Sequence, residues 1–308
     1  MKYRKPTPFE GIIVPLVTPL SGNNRIDIEG LNNLVEHVIR GGVHGIFILG
    51  TTGEAQSLSM NQREEMIKET SRILRNRLPL LVGISDTSLS DSAALAQKAY
   101  EAGAYAVVAA PPYYFATAQS ELIGYFENLI SLLPLPLFLY NIPVHTKVAF
   151  DPKSIKQIAQ NEKVIGFKDS SANGTYLQTV MYVMRERPDF MIFVGTEEMT
   201  AEMVLMGAHG GVNGGANLFP ELYVELYNAA KSHNIEKVRS LQQKVMRIST
   251  GIYSKSKYAS SYLKGLKCAL SVAGICTDFP AMPFSHFNEE YRKEIENEMA
   301  AMAGLHFR

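Results

Sequence analysis

The chain has 308 residues, a formal net charge of zero at pH 7 and 46% hydrophobic residues. This composition is typical of a globular protein that can bury a sizeable core, and the balanced charge argues against nucleic acid or an anionic membrane surface as a partner. No apolar run approaches the roughly 18 residues that a membrane span requires.

The N-terminus and the cysteines both indicate a cytoplasmic location. The segment "MKYRKPTPFEG" (1–11) is charged and lacks the apolar stretch of a signal peptide. Cys268 and Cys276 lie in one late segment, with no histidine at metal-ligand spacing. We therefore expect two reduced thiols rather than a disulfide or a metal site.

Apolar runs typical of strands alternate with helix-like stretches through the first three quarters of the chain. The strand-like runs lie at 11–19, 43–50, 78–85, 104–114, 135–143, 164–171, 189–198 and 210–220. The helices between them are predicted around 31–39, after a cap at Ser59, at 88–101, at 118–132, after Asp151, at 174–186, at 199–206 and at 221–232. Beyond residue 232 the strand-like runs stop, and further helices are predicted at 235–249, 256–273 and 287–303.

Eight strand–helix units fit either a closed (β/α)₈ barrel or an open doubly wound sheet. The strands are rich in Val, Ile, Leu and Phe, which suits parallel strands buried on both faces. The number eight and the even spacing favour the barrel, and no G-x-G-x-x-G follows the first strand. We predict an α/β protein: a TIM barrel over 1–232 with a C-terminal helical extension over 233–308.

The ends of the predicted strands carry a distinctive set of polar residues. Chemistry in such barrels gathers at the C-terminal ends of the strands. Those ends read "GTTGE" (50–54), "PPYY" (111–114), "YNIP" (140–143), "KDSS" (168–171), "GTEE" (195–198) and "GGVNGGAN" (210–217).

Lys168 ends the apolar run "VIGF" and is the candidate nucleophile of this set. Apolar neighbours destabilise an ammonium group, and a neutral lysine amine condenses with a ketone. The resulting iminium withdraws electrons from the adjacent carbon, so a C–C bond can form or break there without a metal. Thr51 and Thr52 could hold a carboxylate, and Tyr114 and Tyr140 could pass protons.

Each of these features also has an ordinary structural explanation. A lysine at a strand end is most often solvated, and a Gly-rich turn before a helix needs no ligand. Tyrosines at strand ends are often core residues with a hydrogen-bonded tip. The functional interpretation rests on the coincidence of several weak signals on one face of one barrel.

The whole set, in its order along the chain, resembles the dihydrodipicolinate synthase / N-acetylneuraminate lyase family of class I, pyruvate-dependent aldolases. The resemblance extends over nearly the whole chain and implies a (β/α)₈ barrel with added C-terminal helices. It also implies a homotetramer built as a dimer of dimers, and an imine between the substrate and a lysine in place of any cofactor.

The resemblance assigns roles by position. Lys168 would form the Schiff base, and Tyr140 would be the proton shuttle beside it. Thr51 and Thr52 would bind the carboxylate of pyruvate, and Tyr114 would reach into the site of a neighbouring subunit. Further substrate contacts are expected at Gly195, Glu198 and Val212.

The region after Tyr140 departs from the best-known members of this family. Lysine-biosynthetic synthases carry an arginine where this chain has His145, and Lys147 stands in place of a glycine. Neuraminate lyases usually show Gly-Ser-Thr-Gly-Glu at the first loop, where this chain has "GTTGE", and Ser-Thr where it has Gly214-Gly215. We therefore expect a 2-keto-3-deoxy sugar acid as substrate, with pyruvate as product or donor. N-acetylneuraminate lyase and dihydrodipicolinate synthase are the alternatives.

Two other classes of function stay open on sequence grounds. A keto-acid-binding sensor would need no imine-forming lysine. A metal-dependent barrel aldolase should place several His, Asp or Glu ligands at strand ends. Here those ends offer mainly hydroxyls, one lysine and the pair Glu197–Glu198, so we expect no metal site.

Overall fold

The computed structural model describes residues 7–303, and within them eight parallel strands close into a barrel in sequence order. Each strand pairs with the next, and the eighth pairs with the first. The predicted (β/α)₈ barrel is therefore confirmed, and the open sheet is excluded. The strands are β1 (Gly11–Pro15), β2 (Gly45–Ile48), β3 (Leu80–Gly83), β4 (Ala106–Ala109), β5 (Leu137–Asn141), β6 (Val164–Asp169), β7 (Met191–Val194) and β8 (Gly210–Val212).

Twelve α-helices lie within the described residues. They are α1 (Ile28–Arg40), α2 (Met60–Leu74), α3 (Leu89–Glu101), α4 (Gln119–Leu132), α5 (Pro143–Thr146), α6 (Pro152–Ile158), α7 (Gly174–Val183), α8 (Thr200–Leu205), α9 (Pro220–Lys231), α10 (Ile235–Ile248), α11 (Ser261–Val272) and α12 (Glu289–Ala303). Residues 1–6, within the charged N-terminus, and residues 304–308, at the end of the predicted extension, lie outside the described residues.

Local capping explains why α2 starts where the sequence predicts. The Ser59 hydroxyl accepts a hydrogen bond from Gln62 N at 3.3 Å, and Gln62 Oε1 accepts one from Ser59 N at 2.9 Å. This reciprocal pair is a capping box, which satisfies two backbone donors that the first helical turn leaves unpaired. The short helix α5 was not predicted, because Pro143 opens a single turn that is too brief for periodicity to reveal.

Two layers of apolar side chains bury both faces of the strands. The outer layer packs the barrel against its helices, and the inner layer fills the barrel. Close packing of the interior leaves the C-terminal mouth as the place where polar side chains can gather. The inner layer comprises Ile13, Phe47, Leu81, Ala106, Val108, Ala110, Phe138, Tyr140, Ile142, Ile165, Met191, Phe193 and Val212.

A register shift in β6 sets which of its side chains face inward. Leu137 pairs with Val164, but Phe138 pairs with Gly166, so Ile165 is an extra residue opposite β5. Such a bulge re-aims the residues that follow it. From Gly166 onward the alternation restarts, and Lys168 becomes the partner of the inward-facing Tyr140.

A buried ion pair joins the C-terminal extension to the loop after β2. Lys267 of α11 donates to Glu54 and, at 2.7 Å, to the Phe279 carbonyl. The other carboxylate oxygen of Glu54 accepts from Ala281 N at 2.7 Å. Burial lowers the pKa of Lys267, and the neighbouring Glu54 carboxylate opposes this shift because it stabilises the ammonium form of the lysine. The extension therefore packs on the mouth of the barrel through a fully partnered polar contact.

Replacing Lys267 by methionine should lower the free energy of unfolding by about 3–5 kcal/mol, because the Glu54 carboxylate would stay buried without its cation. Chemical denaturation measures this difference. Lys237→Met is the matched control, since Lys237 pairs with Glu225 at an exposed position, where such pairs contribute about 0–1 kcal/mol. A similarly small loss for both variants would contradict the prediction.

Between residues 7 and 303, none of the helices combines the length and apolarity needed to cross a bilayer. Cys268 and Cys276 are free thiols, and burial raises the pKa of Cys268 to about 11.

Candidate active site

Lys168 and Tyr140 lie side by side at the C-terminal end of the barrel. They are register partners on β6 and β5, and the Lys168 Nζ atom lies 4.1 Å from the centroid of the Tyr140 ring. The same nitrogen lies 5.1 Å from the centroid of the Phe47 ring. Lys168 is only 7% exposed. Its amine is thus held among aromatic rings rather than in solvent.

The loop after β2 brings a hydroxyl to this pair. Thr51 Oγ1 lies 3.3 Å from the Tyr140 hydroxyl. Leu49 and Glu54, on either side of the loop, both adopt the left-handed backbone conformation, at φ +57° and +56°. Residues other than glycine adopt this conformation infrequently, so the loop has a constrained path. The constraint keeps Thr51 beside Tyr140.

The C-terminal extension closes the other side of this loop. Thr52 Oγ1 lies 3.1 Å from the hydroxyl of Tyr262, which belongs to α11. Thr51 therefore contacts the barrel interior, and Thr52 contacts the extension.

A cavity of about 360 Å³ opens beside Thr51, Tyr140 and Tyr262, which line it, and Lys168 and Thr52 lie just outside its wall. Its wall combines apolar and hydroxyl side chains from the barrel loops with residues of the extension. The lining residues are Phe47, Leu49, Gly50, Thr51, Glu54, Gln56, Ser57, Ser85, Ala110, Tyr113, Tyr140, Ile142, His145, Thr146, Ala259, Ser260, Tyr262, Leu263 and Phe284.

A family model described as the dihydrodipicolinate synthetase family matches residues 8–302. The chain belongs to this family. Its members are pyruvate-dependent carbon–carbon lyases. The class I aldolases among them act through a covalent imine between a lysine and pyruvate and use no cofactor.

Similar proteins in this family carry different names. A solved structure described as dihydrodipicolinate synthase from Bacteroides thetaiotaomicron is 60% identical, covers 96% of this chain and 99% of its own, and has a TM-score of 0.94. An uncharacterised DapA-like lyase of Pyrococcus horikoshii is 35% identical over 89% of this chain and 92% of its own. A probable 2-dehydro-3-deoxy-D-pentonate aldolase of Escherichia coli is 29% identical over 96% of this chain and 98% of its own. The family shows the class of reaction and leaves the substrate open.

Of the expected substrate contacts, Gly195 lies beside Lys168 and Val212 lies in the inner layer of the barrel. A side chain at position 195 would collide with Ser170 Oγ and come within 3.1 Å of Lys168 Cε. Glycine at this position therefore leaves room for the lysine. Val212 packs in the same inner layer as Tyr140. Neither residue is part of the cavity wall itself.

His145 lines the cavity, as expected of a residue that contacts substrate. It belongs to α5 and keeps part of its surface open to solvent at the mouth. Desolvation lowers the pKa of its imidazole. The ring is therefore neutral at neutral pH and becomes a cation when the pH falls through that lowered pKa.

Two expected site residues point elsewhere. The Glu198 carboxylate accepts a hydrogen bond from the Ser249 hydroxyl at 2.5 Å. The Gln242 side chain donates to the backbone carbonyl of Glu198 at 2.8 Å. The Glu198 carboxylate therefore faces the extension, and Glu198 is not part of the cavity wall. Tyr114 is 71% exposed and outside the cavity wall, which instead includes its neighbour Tyr113.

Glu197, rather than Glu198, is the buried member of this acidic pair. It accepts hydrogen bonds from the Tyr223 hydroxyl at 2.5 Å, the Tyr253 hydroxyl at 2.9 Å and Gly215 N at 2.9 Å. Burial raises its pKa to about 7, against the opposing effect of these hydrogen bonds. Glu197 thus links the ends of β7 and β8 to the extension.

Tyr113, Tyr262 and Phe284 line the cavity but are not among the residues that the sequence predicts for the site. Tyr113 belongs to the segment "PPYY", in which the prediction names the neighbouring Tyr114. Tyr262 and Phe284 follow no strand, so the rule that selected the other residues could not find them. Among the described residues, no group of three or more His, Cys, Asp or Glu side chains is placed to hold a metal ion.

Proposed function

We propose that this protein cleaves a 2-keto-3-deoxy sugar acid to pyruvate and an aldehyde, or runs the reverse condensation, through an imine on Lys168. The observation that carries this proposal is the register pairing of Lys168 with Tyr140, which places the amine 4.1 Å from the centroid of the tyrosine ring. A nucleophile and a proton carrier held together on rigid strands are what this reaction needs.

The proposed steps assign each proton and bond. The Lys168 amine attacks the C2 carbonyl to give a carbinolamine, and Tyr140 donates its proton to the C2 hydroxyl as water leaves, which gives an iminium ion and a phenolate. The phenolate accepts the proton of the C4 hydroxyl as the C3–C4 bond breaks, and the bonding electrons pass to the iminium to form an enamine. The aldehyde departs, Tyr140 returns that proton to C3, and water adds to the iminium and gives its proton back to Tyr140, so that pyruvate and the free amine are released. Thr51 Oγ1, 3.3 Å from the Tyr140 hydroxyl, is placed to stabilise the Tyr140 phenolate by donating a hydrogen bond to it.

The cavity wall supports a hydroxylated substrate. The described residues of the cavity wall supply the hydroxyl groups of Thr51, Ser57, Ser85 and Tyr113. No arginine or lysine is among the described residues that line the cavity. A neutral His145 adds one donor or acceptor, and hydroxyl groups of a sugar acid can use either. The E. coli relative is named as an aldolase of this substrate class.

Dihydrodipicolinate synthesis is the second candidate, because the B. thetaiotaomicron structure that is 60% identical is described as that synthase. Its second substrate, aspartate semialdehyde, brings a further carboxylate that a cation would best bind. The deciding experiment compares kcat/KM for pyruvate release from a panel of 2-keto-3-deoxy acids and N-acetylneuraminate with kcat/KM for condensation of the semialdehyde with pyruvate. We expect the sugar acids to be the better substrates. A keto-acid sensor would bind members of the panel without turnover.

His145→Arg should raise kcat/KM for aspartate semialdehyde condensation by roughly 10- to 100-fold, because a guanidinium can bind its carboxylate through two charge-assisted hydrogen bonds. Cleavage of the 2-keto-3-deoxy acid should not improve. His145→Lys is the control at the same position, since it adds charge without the planar fork and should give the smaller gain. Efficient condensation by the unaltered enzyme, or no gain from arginine with imine formation intact, would contradict the assignment.

The assembly and location of the protein belong to the same proposal. We propose a cytoplasmic homotetramer in which the exposed aromatic pair Tyr114 and Phe115, 71% and 77% accessible, lies at a subunit contact. Aromatic residues are enriched in such contacts.

A further inference from the structure

Helix α11 of the C-terminal extension contacts the Thr51–Thr52 loop at two points. Tyr262, near its start, lies 3.1 Å from Thr52 Oγ1, and Lys267, just over one turn later, forms the buried ion pair with Glu54. The ion pair fixes the end of the loop. Tyr262 therefore meets a loop whose position relative to α11 is already set.

Three neighbours fix the orientation of the Tyr262 side chain. Its ring packs edge-on against Tyr253, with the centroids 4.8 Å apart. Its hydroxyl lies where a side chain on Gly214 would otherwise be, since a Cβ there would be 1.8 Å away. Its hydroxyl then meets Thr52. A tyrosine held so closely can direct a hydrogen bond at little further cost in conformational entropy.

The direction of this hydrogen bond matters for a carboxylate ligand. An ionised carboxylate only accepts hydrogen bonds, so the Thr52 hydroxyl must donate its single proton to bind one. It can do so while accepting a hydrogen bond from Tyr262. Burial raises the pKa of Tyr262, so this tyrosine stays protonated and able to donate.

Building on the proposed role of Thr51 and Thr52 in binding the substrate carboxylate, we propose that Tyr262 is a positioning residue that aims the Thr52 hydroxyl at that carboxylate. The barrel supplies the two threonines, and the extension sets the direction of one of them. The C-terminal extension is thereby part of the substrate-binding apparatus.

The test measures the pyruvate concentration that gives half-maximal borohydride trapping on Lys168. Tyr262→Phe should raise this concentration about 3- to 10-fold, as expected for one lost hydrogen bond, and leave the maximal yield of adduct unchanged. In a Thr52→Val background, the same change should add less than about 2-fold, because residues that act through one another are not additive.

Tyr253→Phe is the matched control. It keeps the ring that packs against Tyr262 and removes only a buried hydroxyl, which binds Glu197 at 2.9 Å instead of Thr52. It should leave the half-saturating concentration unchanged, and thermal unfolding of both variants records any general loss of stability. Three outcomes would overturn this inference and leave the proposed function intact. They are an equal shift of the half-saturating concentration in both variants, no shift with Tyr262→Phe, or a full shift in the Thr52→Val background. Absence of any pyruvate adduct in the unaltered enzyme would overturn the proposed function and this inference with it.

Discussion

Lys168→Arg should abolish covalent trapping of pyruvate by borohydride and lower kcat by at least about 10⁴-fold. A guanidinium stays protonated and offers no lone pair to attack the carbonyl. In the unaltered enzyme, mass spectrometry of the digested protein should find the reduced pyruvate adduct on the peptide that carries Lys168. The variant should show no adduct there.

Lys163→Arg provides the matched control for that experiment. Lys163 precedes the same strand and donates to the carbonyls of Ile130 and Leu133 at the opposite end of the barrel. Arginine can maintain both bonds, so trapping and turnover should persist. An adduct on a lysine other than Lys168, or substantial turnover by Lys168→Arg, would exclude the mechanism.

Tyr140→Phe should lower kcat by about 10²- to 10⁴-fold, the usual contribution of a positioned acid or base. The phenylalanine keeps the aromatic ring beside Lys168, so binding of substrate and the fold should be preserved. Single-turnover measurement of aldehyde release separates this step from imine formation. Pyruvate should still be trapped on Lys168, because the nucleophile remains.

Tyr176→Phe tests whether loss of any hydrogen-bonded tyrosine hydroxyl near β6 has the same effect. The Tyr176 hydroxyl donates to the Phe150 carbonyl at 2.7 Å, and this residue does not line the cavity. Turnover should change by less than about 3-fold, as for a substitution that acts through stability alone. Comparable losses in the two variants would mean that Tyr140 acts through packing rather than through proton transfer.

The barrel could be predicted because its information is local. Each strand is a short apolar run, each helix has its own periodicity, and Ser59 with Gln62 encodes one boundary within four residues. The barrel rule then places strand ends together, which was enough to select Lys168, Tyr140 and Thr51.

The unpredicted parts of the site depend on contacts between distant parts of the chain. Thr52 and Tyr262 are separated by 210 positions, and Glu54 and Lys267 by 213. No periodicity links such residues. A single 3₁₀ turn over Glu197–Met199 determines that the Glu197 carboxylate, and not that of Glu198, turns inward. Adjacent acids in one turn look equivalent in sequence.

The extra residue in β6 determines which functional group this strand presents at the mouth of the barrel. Ile165 and Gly166 stand where a regular strand would have one residue, and Lys168 and Asp169 follow on opposite faces. If the same residues formed a regular strand without the bulge, Asp169 would face the barrel interior, as Tyr140 does, and Lys168 would face the surrounding helices. Deleting Ile165 or Gly166 would instead leave a regular strand in which Lys168 still pairs with Tyr140. The bulge therefore decides whether this strand presents an amine or a carboxylate to the barrel mouth.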